Sequence, residues 1–398
     1  MTRLGSGIRR LLALAAVGCV CAVAVSAMQH TGPPPAQTAD STERRLVTAE
    51  GAGSIAVLPL TNRSVRSAPL KEIRESLLRK LAERGFDVLG EAELEAFMRR
   101  HRVRYTAGLN EELAEVLANE TGARAALITT VDLYDERNPP KMALTSRLVS
   151  TGAEPRILWM ESAIRVGDDA PGGFDLSVVS DAAVLSEIVI DEIAQGVPQD
   201  WAGPDVARGT PGVPSRKTRW RFRPRTYYAS PDFPVVRSEA GRIAVLPFAN
   251  DSTTKYAGEI LTDQVIRHLV EVGADVVEPG VVRQVMLEAR QFYSEGPSVP
   301  ESDILRLHLE ADVVVFGEVT SYREKLGLQV AKAEFLVRAI DTESRELIWA
   351  SNSFAGGNRR VFFFGIGQVH SAQGLASELS RALVGTVLRE RAQAAQKR

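Results

Sequence analysis

The sequence predicts an α/β (α+β) chain built from two tandem copies of a βαβ(αα)βββα domain, with helices packed on a mixed sheet. Two observations carry this. The first is an internal repeat: Ile55-Ala56-Val57-Leu58-Pro59-Leu60-Thr61-Asn62 matches Ile243-Ala244-Val245-Leu246-Pro247-Phe248-Ala249-Asn250 at six of eight positions, an offset of 188 residues (243 less 55). The same offset pairs Ser64 with Ser252, Arg79 with Arg267, Gly85 with Gly273, Asp87 with Asp275 and Tyr134 with Tyr322. The second is a change of apolar period, from helical in the first part of each copy to alternating in the second, at matching places.

Element by element, each copy opens on an apolar run that proline stops, because proline cannot donate to a β-ladder. A helix follows, with inward faces Ile73, Leu77, Leu78, Leu81 and Leu261, Val265, Ile266, Leu269 at amphipathic spacing. Gly85 and Gly273 stand where a left-handed C-terminal cap belongs. Short strands are expected over 86–89 and 275–277, then helices carrying Leu94, Phe97, Met98 or Val282, Val285, Met286. Third helices carry Val116, Leu117 or Ile304, Leu305. Strands over 125–133 and 313–319 lead into hairpins, 143–149 with 156–160 and 335–340 with 346–350, joined by Ser150-Thr151-Gly152 and Asp341-Thr342-Glu343-Ser344. Trp159 and Trp349 close these hairpins and are expected to be largely buried. Closing helices carry Val178, Val179, Ala182, Leu185, Ile188, Val189 and Leu375, Leu379, Leu383, Val387, Leu388.

The resulting division is an export signal at 1–27, a tether at 28–53, a first domain at 54–197, a Pro/Arg-rich linker at 198–238 and a second domain at 239–393. In the signal, Arg3, Arg9 and Arg10 precede an uncharged apolar run from residue 11 to 27. Three outcomes stay open. Ala16-Val17-Gly18-Cys19 resembles a lipobox that would acylate Cys19, Val25-Ser26-Ala27 fits a signal peptidase, and an uncleaved segment would anchor the chain. All three place the rest of the protein outside the cytoplasm. Both cysteines of the chain, Cys19 and Cys21, lie in this segment, so the folded part has neither a disulfide nor a thiol site.

With 44% apolar residues, 25% charged residues and a formal net charge of −2, the composition is that of a globular protein with no field to attract nucleic acid. No GxxxxGK[ST], GxSxG or HExxH motif occurs. His30, His101, His268, His308 and His370 fall at no metal-ligand spacing, and exposed or capping roles are expected for them. No catalytic residue, metal or cofactor is expected. Asn62 and Asn250 are expected to bond nearby backbone in turns.

The runs Ile55-Ala56-Val57-Leu58-Pro59-Leu60-Thr61-Asn62-Arg63-Ser64 and "IAVLPFANDS", with "ARAALITTV", "ADVVVFGEV", "RLVSTGAEPRILW" and "RAIDTESRELIW", resemble a bacterial envelope superfamily. It includes the curli secretion lipoprotein CsgG, the penicillin-binding-protein activator LpoB and the N-terminal domain of TolB. The resemblance covers most of both copies and implies an extracytoplasmic, often lipid-anchored binding or scaffold domain. A tandem pair departs from the single-domain lipoproteins of that group.

Two stretches stand out as contact candidates. Arg219, Trp220, Arg221, Phe222 and Arg223 belong to a run of six cations in ten residues, 216–225, that ends before Tyr227-Tyr228. It would suit anionic head groups or acidic glycopolymers, or else form an edge strand that docks on a domain. Phe362, Phe363 and Phe364 form either a partner-binding or membrane-touching loop or a buried strand extension. The expected function is a non-enzymatic envelope adaptor or scaffold, periplasmic and membrane-attached, that binds an envelope protein. A secretion-complex subunit and a cell-wall hydrolase are the alternatives, and peptidoglycan is a further contact to consider.

Overall fold

The structure, a computed structural model, describes residues 53–168, 178–201, 224–230, 241–290, 296–358 and 368–395, without the side chains of 299, 300 and 387–395. Residues 49–398 form one compact unit.

Its first half runs β1 (Ser54–Val57), β2 (Thr61–Asn62), α1 (Leu70–Glu83), α2 (Glu91–Arg100), α3 (Glu111–Thr121), β3 (Ala123–Asp135), β4 (Lys141–Ser150), β5 (Ile157–Val166) and α4 (Ala182–Gly196). After β6 (Arg225–Ala229), the second half repeats the order with one short strand added after its first helix. It contains β7 (Arg242–Val245), β8 (Ala249–Asn250), α5 (Ala257–Glu271), β9 (Asp275–Val276), α6 (Pro279–Glu288), α7 (Val299–Leu309), β10 (Ala311–Arg323), β11 (Lys332–Asp341), β12 (Leu347–Gly356) and α8 (Ala372–Ala395). In each half the opening strand lies parallel to the long strand, which leads an antiparallel meander: β1-β3-β4-β5 and β7-β10-β11-β12. The mixed α/β class is therefore the one the sequence predicts.

Each sheet is covered on both faces. Ile73, Leu77 and Leu81 of α1 and Leu185, Val189 and Ile193 of α4 close one face of the first sheet, and α2 and α3 close part of the other through Leu94, Phe97 and Leu117. In the second half α5 and α8 bury Leu261, Val265, Leu375, Leu379 and Leu383, while α6 and α7 contribute Val282 and Leu305. Gly85 and Gly273 both have φ of 83°, the left-handed turn that only glycine adopts without strain. Asn62 and Asn250 make the same turn, accepting from the backbone N–H of Ser64 (2.9 Å) and Ser252 (3.1 Å).

Several expectations need correction. No strand forms over 86–89; Val88 makes a single bridge to Ile55, and Phe86 and Leu89 pack into different cores. The first closing helix starts at Ala182, leaving Val178 and Ile188 exposed at 40% and 41%, since its buried stripe is Leu185, Val189, Ile190 and Ile193. Trp349 is buried, but Trp159 is only half-buried. The stretch read as linker contributes β6 to the second sheet and Trp201 to the first core. His268 is not exposed: it is enclosed between α5 and α8, with Nδ1 2.7 Å from Glu271 and Nε2 3.0 Å from the Ser377 carbonyl.

Candidate functional site

Cys19, Arg219, Trp220, Arg221, Phe222, Arg223, Phe362, Phe363 and Phe364 all lie outside the described residues. The described feature best built for binding is instead the seam between the two halves.

The seam begins in β3 and β4. Their residues on the face away from α1 and α4 include Asp132, Thr145 and Arg147, a polar set in the middle of apolar strands. Buried charge is costly unless it is paired, and here the second half supplies the partners. The Arg147 guanidinium donates from Nε to Glu278 Oε2 and from Nη2 to Oε1, both at 2.9 Å, and also to the Ala107 carbonyl. Glu278 precedes α6 and also accepts from the backbone N–H of Leu109 (3.2 Å) and Gly280 (3.3 Å), so one carboxylate caps a helix and pins a loop of the other half. Burial alone would lower the Arg147 pKa, but Glu278 and Asp263 more than offset it and hold the guanidinium charged.

A second group lies beside it. Arg63, next to the Asn62 turn, donates to Asp263 of α5 and sits 3.8 Å from Asp132. Asp132 accepts from Thr130, Thr145 and, from α8, Gln373 at 3.1 Å. Burial pushes the Asp132 carboxyl up to about 6, with Asp263 adding to the rise and Arg63 opposing it. For Arg63, burial is outweighed by Asp263 and Asp132, and its pKa is raised. Gln264 adds a bond to Ser162 of β5 (3.1 Å), and Arg267 pairs with Glu161.

Close backbone approach completes the seam. A Cβ on Gly280 would lie 2.3 Å from the Leu109 nitrogen, so only glycine admits this contact. Arg283 of α6 stacks over the Tyr105 ring at 4.1 Å.

Above the Arg63–Asp263 pair the two halves leave an open groove of about 620 Å³. Its first-half wall is Thr61, Arg63, Tyr105 and Ala107; its second-half wall is Pro247, Phe248, Tyr256, Pro279, Met286 and Leu287, with Asp251, Glu259 and Arg283 among its charged residues. The described lining includes neither histidine nor cysteine, and its two most buried charges are spent on each other. Such a surface is suited to enclose an apolar side chain and to orient charged neighbours. Among the described residues no His, Cys, Asp and Glu cluster could hold a metal ion, and no helix is long and apolar enough to cross a membrane.

Sequence reasoning missed the seam. The available signal was polar residues at inward-facing strand positions, Asp132 and Arg147, together with the second copy's Asp263 and Gln264 where the first has Glu75 and Ser76.

No family model and no curated protein matches the chain. Similar solved structures include the PelC dodecamer from Paraburkholderia phytofirmans, at 19% identity over 41% of this chain and 94% of that one, with a TM-score of 0.29. Lipoprotein GNA1162 from Neisseria meningitidis is 23% identical over 36% of this chain and 99% of its own, with a TM-score of 0.26. The C-terminal domain of LpoB from Escherichia coli is 7% identical over 31% of this chain and 89% of its own, with a TM-score of 0.23.

Proposed function

We propose that this chain is a non-enzymatic adaptor of the cell envelope that takes a segment of a partner protein in the groove between its halves. The observation that carries the reading is an apolar-walled groove whose deepest charges, Arg63 and Asp263, are already paired. Catalysis by acid–base or nucleophilic groups needs reactive side chains turned toward substrate, whereas recognition needs fixed shape and a few orienting charges. The N-terminal arginines and the apolar run after them support export, and Cys19 would supply the membrane attachment.

The test is site-specific photo-crosslinking in cells. A crosslinker at Leu287, in the groove and 41% exposed, is compared with one at Leu328, fully exposed and absent from the groove lining. A discrete protein adduct from position 287 alone, lost with Tyr256→Ala, is expected. Equal adducts from both positions, or clearing of a peptidoglycan gel by the purified protein, would overturn the reading.

A further inference from the structure

The two sheets carry matching rows of side chains. In the first, one row runs Ile128, Arg147 and Met160 across β3, β4 and β5. Its match in the second runs Phe316, Arg338 and Ala350 across β10, β11 and β12. The rows beside these are Thr130, Thr145 and Ser162 in the first sheet and Glu318, Leu336 and Asn352 in the second. Phe335, Val337 and Ala339 belong to the core under α5 and α8, so Leu336 and Arg338 face the opposite side of the sheet.

The rows differ in cover. Thr130, Thr145, Arg147 and Met160 are 1%, 2%, 2% and 6% exposed, because the second half lies on them: α5 packs on β5, and Glu278 holds Arg147. In the second sheet α6 and α7 cover this face only around Ala244, Val314 and Ile340, with Phe316 at their border. Beyond it Glu318, Leu336, Arg338, Ala350 and Asn352 are all partly exposed, and Phe354 of β12 and Tyr228 of β6 are exposed beside them.

Arg338 stands where Arg147 does, half-buried between Phe316 and Ala350, yet its guanidinium has no ion pair among the described residues. A cation drawn partly out of water is stabilised by a carboxylate that shares its setting, as Glu278 does for Arg147. The other cations of the face are the exposed Arg225 and Lys332, which bonds Glu334 at 3.1 Å and lies over the Phe354 ring. Glu318, diagonal to Arg338, makes no ion pair with it. A second copy of this chain does not supply the missing acid. At the offset of the repeat, its Gly90 stands for Glu278 and its Ser76 for Gln264.

We propose that this face docks an amphipathic helix of a different protein, which sets a carboxylate against Arg338 and apolar side chains over Leu336 and Ala350. Charge complementarity names the acid, since the face offers an unpaired guanidinium where the matching row receives Glu278. The apolar stripe follows from Leu336, which stands where the first sheet has Thr145 and meets the Gln264 amide. A helix is the element that closes the matching face, where α5 lies on β5. The surface shares no residue with the groove lining, so it gives the chain a second contact and extends the adaptor reading.

The experiment uses the full chain purified in detergent and a phage-displayed library of helical peptides. The library is first depleted on Leu336→Asp, so that what the wild type then retains depends on this face; Asn352→Arg serves for the depletion if circular dichroism shows that Leu336→Asp loses the fold. The retained sequences are expected to carry Asp or Glu beside an apolar stripe at helical spacing. As synthetic peptides they are expected to bind Arg338→Glu on the order of tenfold more weakly than the wild type, and to regain affinity for that variant when their acid is changed to Lys. Retained peptides without an acid, or with equal affinity for Arg338→Glu, overturn the proposal. So does a library from which nothing is retained. Binding of alginate, a polyuronate, that Arg338→Glu abolishes while no peptide is retained would assign the face to an acidic glycan instead.

Discussion

Arg147 of β4 and Glu278 at the start of α6 form a two-bonded ion pair, both bonds 2.9 Å, with side-chain exposures of 2% and 0%. The pair joins the two halves at a point closed to water. Removing one partner strands the other charge, at a cost of about 3–5 kcal/mol, whereas replacing both avoids that penalty. Arg147→Met and Glu278→Gln are each expected to destabilise by about that amount, and the double variant by clearly less than their sum. Urea unfolding of the four proteins checks this, and additive losses would contradict it.

Because the seam holds Arg63, Asp132, Arg147, Asp263 and Glu278, the halves should unfold together. The full chain is expected to show one cooperative transition, and a fragment of residues 54–201 or 224–398 to unfold at lower urea than the whole. Two separated transitions in the full chain, or fragments as stable as the parent, would show that the halves are autonomous.

The equivalent tryptophans differ in burial, and the difference should be measurable. Trp349 is 4% exposed, so Trp349→Ala is expected to cost about 3–5 kcal/mol. Trp159 is half-buried beside Gly196 and should cost less than half as much. Equal losses would mean that burial does not decide the contribution of these side chains.

Asp132 gives a pH signature of defined sign. Burial raises its folded pKa from 3.8 to about 6, so between these values the folded protein holds a proton that the unfolded chain releases. Its contribution to stability is fully present below the unfolded value and is lost as pH rises through the folded one. Arg63 and Asp263 are the charged groups beside it, and Asp132→Asn removes the titration. Relative to that variant, the wild type is expected to lose on the order of 1–3 kcal/mol as pH rises across the window. A difference independent of pH, or one of opposite sign, would exclude this.

At the N-terminus, Cys19 divides the processing outcomes. A palmitate analogue is expected to label the wild type and not Cys19→Ser, each buried methylene of the lipid adding about 0.8 kcal/mol to membrane binding. An unlabelled soluble product beginning at Met28 would establish cleavage after Ala27. An unlabelled, membrane-bound product that retains Arg9 and Arg10 would establish an uncleaved anchor.

Much of the fold was legible because local pattern and repeat agreed. Ile73, Leu77 and Leu81 and their counterparts Leu261, Val265 and Leu269 are buried as their spacing requires, and the meanders follow their alternation. Readings failed where burial depends on what arrives from elsewhere. Trp159 and Trp349 occupy matching hairpins, yet β6 pairs with Trp349 on β12, while Trp159 packs against Gly196 at the end of α4. His268 looked like a surface residue because its enclosure is made by α8, more than a hundred residues later in the chain.

The sequence by itself determined the α/β class and the place of most elements in the chain, because these follow from the order and period of apolar residues. Only the tertiary structure decided how the second half is used. Asp263, Gln264 and Arg267 read as the polar face of an amphipathic helix, and Arg147 as a stray charge in a strand, until the halves pack and remove water from both. The physical reason is that periodicity records whether a side chain prefers water, whereas pairing of buried charges depends on distances between residues more than a hundred positions apart, as between Arg147 and Glu278.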